Sequence, residues 1–203
     1  MEKPRQKVKR VLGVTGGFGC GKTTVAAMLS RAGAVVIDAD AVAHALMRPR
    51  TAVYRRIRRF FGAGVVSTDG QIDRQALSRI VFTDPVKLVR LNRIMHPAII
   101  ASMRRQIRRV TKGMVVLDAP LLFETGLDRM ADAVIVVKAS PARQRQRIKA
   151  RDGLSGRQIA LRIKAQIPLS EKIRRADFVI DNTGTKINTL KQVQHIRRQL
   201  WRS

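Results

Sequence analysis

Acidic residues are scarce in this chain of 203 residues: 14 Asp and Glu stand against 41 Lys and Arg, a formal net charge of +27. Such an excess attracts polyanions, namely nucleic acid, acidic membrane surfaces or phosphorylated ligands. Aromatic side chains are sparser still, at 4% of the sequence. The basic runs therefore carry no aromatic interleaving, and base stacking finds no support. Runs such as Arg55, Arg56, Arg58 and Arg59, or Arg104, Arg105, Arg108 and Arg109, fall opposite apolar stripes. They read either as solvated helix faces or as phosphate contacts. Cys20 is the one cysteine, which excludes an internal disulfide and fits a reducing compartment. No apolar run approaches the roughly 18 residues a membrane span needs. The basic first ten residues lead into no signal-type apolar segment. His44, His96 and His195 are scattered, so neither a zinc spacing nor a nucleophile–base set emerges. Repeats and low-complexity segments are absent too. What remains is 45% apolar residues, enough for one globular core with insertions.

The most informative stretch is Gly16-Gly17-Phe18-Gly19-Cys20-Gly21-Lys22-Thr23. It matches Gly-x-x-x-x-Gly-Lys-Thr, the phosphate-binding loop pattern. The apolar residues Val11, Leu12 and Val14 precede it as a buried strand, and Val25, Ala26, Met28 and Leu29 follow at helical spacing. Glycines let successive backbone N–H groups turn inward as an anion nest, and the following helix adds its positive end. Lys22 is then placed to reach the β- and γ-phosphates, and the Thr23 hydroxyl to bind Mg²⁺. A dinucleotide fingerprint fails, because from Gly17 it needs glycine where Lys22 stands.

Four further apolar runs resemble parallel strands of a covered sheet: Ala34 to Ile37, Met114 to Leu117, Ala133 to Val137 and a weaker Phe178 to Ile180. Polar residues gather after each, where open α/β sheets bind ligands, and helical patterns lie between, which predicts a doubly wound fold. The second and third runs are too far apart for one crossover helix, so residues 41 to 113 are expected to form a helical substrate-covering insertion. Asp84-Pro85 and His96-Pro97 look like helix starts. Ile99, Ile100, Met103, Ile107 and Val110 predict one apolar helix face. Residues 141 to 175 predict a basic helical hairpin, with Gly153 ending its first helix and a capping box at Ser155–Gln158 opening its second. Ile187, Leu190, Val193, Ile196 and Leu200 predict a packing face on the last helix.

Candidate chemistry follows the strands. Asp38 and Asp40 share a face if the backbone stays extended. A carboxylate there accepts or orients a substrate hydroxyl proton, or else caps the next helix. Spacing does not separate the two. Asp118 is either the acidic neighbour of Mg²⁺ or a turn residue before Pro120. Arg147 and Arg151, four apart, project from one helix face, where a bidentate guanidinium suits phosphate; either one alone can equally be solvated.

The whole pattern resembles the dephospho-coenzyme A kinase family. The resemblance rests on Gly13-Val14-Thr15-Gly16-Gly17 with its loop, Asp38-Ala39-Asp40, Phe61-Gly62, Gly70-Gln71-Ile72-Asp73-Arg74, Leu77, Val81-Phe82, Leu91-Asn92 and His96-Pro97. It continues through Asp118-Ala119-Pro120-Leu121-Leu122-Phe123-Glu124, Gln144, Arg147, Arg151, Gln166, and Ala176 to Asn182 with Gly184. It implies an α/β three-layer P-loop kinase fold with a parallel five-stranded sheet, a helical substrate-binding insertion and a helical lid. Residues 8–203 would be one kinase unit: a core of 8–40, 114–140 and 176–203, an insertion of 41–113 and a lid of 141–175. The implied reaction moves the γ-phosphoryl group of ATP to the ribose 3′-hydroxyl of dephospho-coenzyme A. The resemblance assigns catalysis to Asp40, Lys22 and Arg147, and ATP binding to Gly17, Phe18, Gly19, Cys20, Gly21, Lys22, Thr23, Thr24, Arg147 and Asn182. It assigns substrate binding to Asp40, Arg74 and His96, and Mg²⁺ to Thr23 and Asp118. It further implies a cytoplasmic enzyme, monomeric or weakly self-associating, with no specific nucleic-acid or membrane partner. Cys20 stands where the family usually has serine, a change backbone cradling tolerates. The charge is unusually basic for the family.

Overall fold

The computed structural model describes residues 9–151, 159–160, 163–164 and 166–202. Five strands form one parallel sheet: β1 (Arg10–Gly16), β2 (Val35–Asp38), β3 (Met114–Asp118), β4 (Ala133–Lys138) and β5 (Phe178–Asp181). Their spatial order is β2-β3-β1-β4-β5. All five expected runs are strands. β3 and β4, which flank the central β1, read as nearly unbroken apolar runs because they are covered on both faces. Leu12 and Val14 point into a cluster with Val116, Ile135, Val137 and Ile180, packed by Val25 and Leu29 of helix α1 (Lys22–Arg31). On the other face Leu122 covers Gly13 so closely that a Cβ there would lie 2.7 Å from its Cδ2.

Parallel strands end at one edge of the sheet, and here that edge gathers the chemistry. The register pairs Val14 with Asp118, Gly16 with Val137, and Lys138 with Asp181. Gly16, Asp118 and Asp181 therefore all finish their strands at this edge.

The chain divides into two compact units, Met1–Ile37 with Ile107–Ser203, and Asp38–Gln106. The second is helical: α2 (Ala39–Leu46), α3 (Ala52–Phe61), α4 (Arg74–Thr83) and α5 (Pro85–Arg109). Side-chain caps explain where all four start, and for α5 the cap is Asp84, which accepts from the Val86 and Lys87 amides. Asp38 accepts from the Asp40 and Ala41 amides, Thr51 from Tyr54, and Asp73 from Gln75 and Ala76, so each satisfies donors that the first turn leaves open.

Two sequence expectations fail here. Pro85 does open a helix, but Pro97 does not, for α5 runs through it. An internal proline costs about 3 kcal/mol. Ile94, Met95, Ile99 and Met103 are all buried on both sides of Pro97, and at roughly 1.5–3 kcal/mol per buried side chain this continuous stripe outweighs the lost hydrogen bond. The same helix ends at Arg109, one residue short of Val110, which the sequence placed on its apolar face.

The first unit adds α6 (Pro141–Arg151), α7 (Leu169–Arg174) and α8 (Lys186–Arg202). The expected stop at Gly153 and the capping box at Ser155–Gln158 lie outside the described residues, as does the side chain of Arg151. On α8, Val193 and Ile196 are buried and Leu200 packs against the core, but Ile187 is 67% exposed and Leu190 38%. The inward stripe starts at Thr189 instead, which is fully buried. Its hydroxyl meets a polar partner described below, so an apolar residue was not the one to turn inward.

Candidate active site

The loop between β1 and α1 is shaped by what surrounds it. Gly19 and Gly21 hold φ of 76° and 82°, the left-handed region that glycine enters without a steric cost. Space is limiting as well. A Cβ on Gly21 would collide with the Asn182 amide and lie 3.0 Å from Arg147, and one on Gly19 would lie 2.9 Å from Ile148. Gly16 backs onto the Val137 carbonyl. The Gly17 carbonyl accepts from the Cys20 amide at 3.1 Å, closing the turn. Cys20 is buried with its thiol directed into the protein; burial pushes its proton affinity up, so it stays a neutral thiol, and its backbone matters more than its sulfur.

Three side chains fix that backbone. The Asn182 amide donates to the Cys20 carbonyl at 2.8 Å, and the Arg147 guanidinium donates to the same carbonyl at 3.0 Å. Its second nitrogen donates to the Asn182 carbonyl at 2.9 Å. Asn182 is aimed by Thr189, whose hydroxyl donates to its Oδ1 at 2.9 Å. Among the described residues, Arg147 thus spends two of its five N–H donors on the protein.

Lys22 and Asp118 form the charged centre. The Lys22 ammonium donates to Asp118 Oδ1, with side chains 15% and 5% exposed. Thr23 is exposed, and Thr24 follows it in the first turn of α1. Thr15, at the end of β1, donates to the Pro120 carbonyl at 3.1 Å. That carbonyl also receives Lys172, which is almost wholly buried.

The residues that the sequence assigns to substrate lie in the helical unit. Asp40 sits in the exposed first turn of α2, while Asp38 caps that helix, so the two aspartates separated neither by spacing nor by type have different local roles. The Arg74 guanidinium contacts the His44 ring. His96 is half-buried on α5, and burial lowers its proton affinity.

The donor set fits an ATP–Mg²⁺ pair. Gly16, Gly19 and Gly21 have no room for a Cβ beside Val137, Ile148 and Asn182, so only glycine keeps the loop this tightly curled, as an anion-binding nest requires. An acidic strand-end residue and an exposed hydroxyl, Asp118 and Thr23, suit a hard cation that keeps most of its water and takes few protein ligands. Among the described residues no group of three or more His, Cys, Asp or Glu gathers to hold a metal by protein ligands alone.

Sequence reasoning missed Thr15, Thr189 and Lys172. Lys172 gave no signal among so many basic residues, and Thr189 belongs to no motif and lies off the apolar face that Ile187 and Leu190 suggested.

Comparison with known proteins agrees with this geometry. The family model described as dephospho-CoA kinase matches residues 10–188. The dephospho-CoA kinase of Symbiobacterium thermophilum is 50% identical over 91% of this chain and 79% of its own length. That of Geobacillus kaustophilus is 44% identical over 93% and 95%. A solved Thermus thermophilus structure superposes with a TM-score of 0.82 at 35% identity, covering 96% of this chain and 99% of that one. The dephospho-CoA kinase from Campylobacter jejuni gives 0.69 at 28%, covering 95% and 98%. A shikimate kinase from Acinetobacter baumannii, at 14% identity and a TM-score of 0.53, shares the fold alone. With its loop, its sheet order and these relatives taken together, the chain belongs to the dephospho-CoA kinase family.

Proposed function

We propose that Lys22, Asp40 and Arg147 carry the phosphoryl transfer of this ATP-dependent kinase, from ATP to the ribose 3′-hydroxyl of dephospho-coenzyme A. The observation that carries this reading is the Gly16–Thr23 cradle with the Lys22–Asp118 pair at its base. The loop amides and Lys22 hold the β- and γ-phosphates, and Phe18, Thr24 and Asn182 complete the nucleotide contacts. Transfer of a phosphoryl group spreads negative charge over its oxygens, so positioned donors supply most of the catalysis. Lys22 exchanges Asp118 for phosphate oxygen when the nucleotide arrives. Arg147 offers its remaining N–H donors to the transferring group, and Asp40 accepts or orients the 3′-hydroxyl proton. Arg74 and His96 contact the coenzyme. Thr23 and Asp118 would hold Mg²⁺, which when bound neutralises phosphate charge.

Residues 8–40, 114–140 and 176–203 serve as the nucleotide core in this reading, 41–113 as the coenzyme-binding insertion and 141–175 as a lid. The enzyme is cytoplasmic, and monomeric or weakly self-associating. Among the described residues no helix is long and apolar enough to cross a membrane. Nucleic-acid contact driven by the charge of +27 would be sequence-independent and steeply salt-sensitive. The direct test is formation of the 3′-phosphorylated product from ATP and dephospho-coenzyme A. An ATPase stimulated by DNA or RNA, without that product, would overturn the reading.

A further inference from the structure

The Lys172 side chain is 1% exposed. Burying an ammonium is costly unless its charge is paired and its protons are received, and here two hydrogen bonds and a carboxylate meet it. Nζ donates to the Pro120 carbonyl at 2.6 Å and to Gln166 Oε1 at 3.1 Å, and lies 3.2 Å from Glu124 Oε1. The same Glu124 oxygen accepts from the Ile167 amide at 2.9 Å. Glu124 Oε2, also buried, has no hydrogen-bond partner among the described residues. A methionine would fill this space without the cost of a charge, so packing alone does not account for a lysine.

What the ammonium joins is informative. Pro120 and Glu124 belong to the corner after β3. That corner starts at Asp118, the partner of Lys22, and its Ala119 amide donates to the Val14 carbonyl at 3.0 Å. Pro120 is held from the other side by Thr15, just before the loop. Gln166 and Ile167 lead into α7, whose first residue, Leu169, lies 3.6 Å from where a Gly17 Cβ would be. One buried charge therefore ties the β3 corner, the root of α7 and the phosphate loop together.

We infer that Lys172 is a positioning residue for phosphoryl transfer: through the Pro120 carbonyl and the Glu124 carboxylate it fixes the corner that presents Asp118 to Lys22. This rests on the reading of the loop as the ATP site. Lys172 touches neither phosphate nor acceptor and acts through Asp118 and Lys22. Its proton affinity is lowered, chiefly by burial and also by the charge of Lys22, and the Glu124 carboxylate works against that lowering.

The test compares Lys172→Met, Glu124→Gln and the Lys172→Met/Glu124→Gln double variant, each by kinetics, fluorescent ATP-analogue binding and thermal melting. In the double variant no buried charge is left alone, so Tm recovers towards wild type. The positioning role predicts that kcat nonetheless stays down by about tenfold or more, while the affinity for the analogue changes little, since corner geometry matters most in the transition state. In Glu124→Gln, Lys172 sheds its proton more readily, so the alkaline limb of kcat moves to lower pH. That shift is readable even if Lys172→Met fails to fold. Recovery of kcat together with Tm in the double variant, or an unmoved alkaline limb in Glu124→Gln, would overturn the proposal. A wild-type protein that neither binds the analogue nor makes product would instead overturn the ATP reading itself.

Discussion

The Thr189 hydroxyl donates to Asn182 Oδ1 at 2.9 Å, while the other end of the Asn182 amide donates to the Cys20 carbonyl at 2.8 Å. A residue on the last helix therefore sets the orientation of an amide that holds the phosphate loop. Thr189→Val leaves Oδ1 buried without a donor, a loss of about 1–3 kcal/mol in stability. Whatever part of this reaches nucleotide binding raises KM for ATP, by about tenfold for each 1.4 kcal/mol. Thr189→Ser keeps the hydroxyl and should restore both values. Melting and ATP titration of the two variants are the check, and a wild-type KM and Tm in Thr189→Val would show the contact to be idle.

Removing Lys22 has two separable consequences. Lys22→Met takes away a donor aimed at charge that grows during transfer, so kcat should fall by at least about 10²- to 10³-fold. It also removes one partner of the 5%-exposed Asp118 carboxylate, which costs up to about 1–3 kcal/mol of stability. Kinetics beside circular dichroism separates the two, and a folded variant with near-normal turnover would remove Lys22 from the mechanism.

The two aspartates after β2 should respond differently. Asp38→Asn keeps an N-cap of equal quality, so activity stays near wild type. Asp40→Asn removes the proposed acceptor of the 3′-hydroxyl proton, and kcat should drop about 10²- to 10⁴-fold. If Asp40→Asn retains most of its kcat, Asp40 is not the base.

Arg147 touches two carbonyls with one planar fork. Arg147→Ala should lower kcat and kcat/KM together with little change in KM for ATP, the pattern of a contact that strengthens in the transition state. Arg147→Lys should not rescue it, because one ammonium cannot match the fork. A large rise in KM at unchanged kcat would assign Arg147 to ground-state binding instead.

His96 gives a pH dependence with a definite sign. Burial lowers its proton affinity in the folded state, so below the unfolded value of about 6.5 the unfolded chain binds the proton more readily. The stability contributed by neutral His96 is complete above that pH and is lost as pH falls from there through the lower value it has in the folded state. Melting curves of His96→Gln should flatten against pH below about 6.5 relative to wild type; parallel curves would show that His96 does not contribute.

The sequence by itself determined the parts whose physics is local or periodic. Gly16 to Thr23 specifies a loop because only glycine accepts its dihedrals and clearances, and Leu12, Val14, Val115 and Val116 specify strands because a sheet covered on both faces demands unbroken apolar runs. The tertiary structure decided what depends on residues far apart in the chain. Pro97 stays inside α5 because buried neighbours on both sides outweigh its missing amide. Thr189, not Ile187 or Leu190, turns inward because Asn182 waits there. Arg147 and Cys20 are 127 positions apart, and Lys172 and Pro120 are 52. No local pattern marks Lys172, among 41 basic residues, as one to bury; only folding brings it the Pro120 carbonyl, Gln166 and Glu124 that make burial of its charge tolerable.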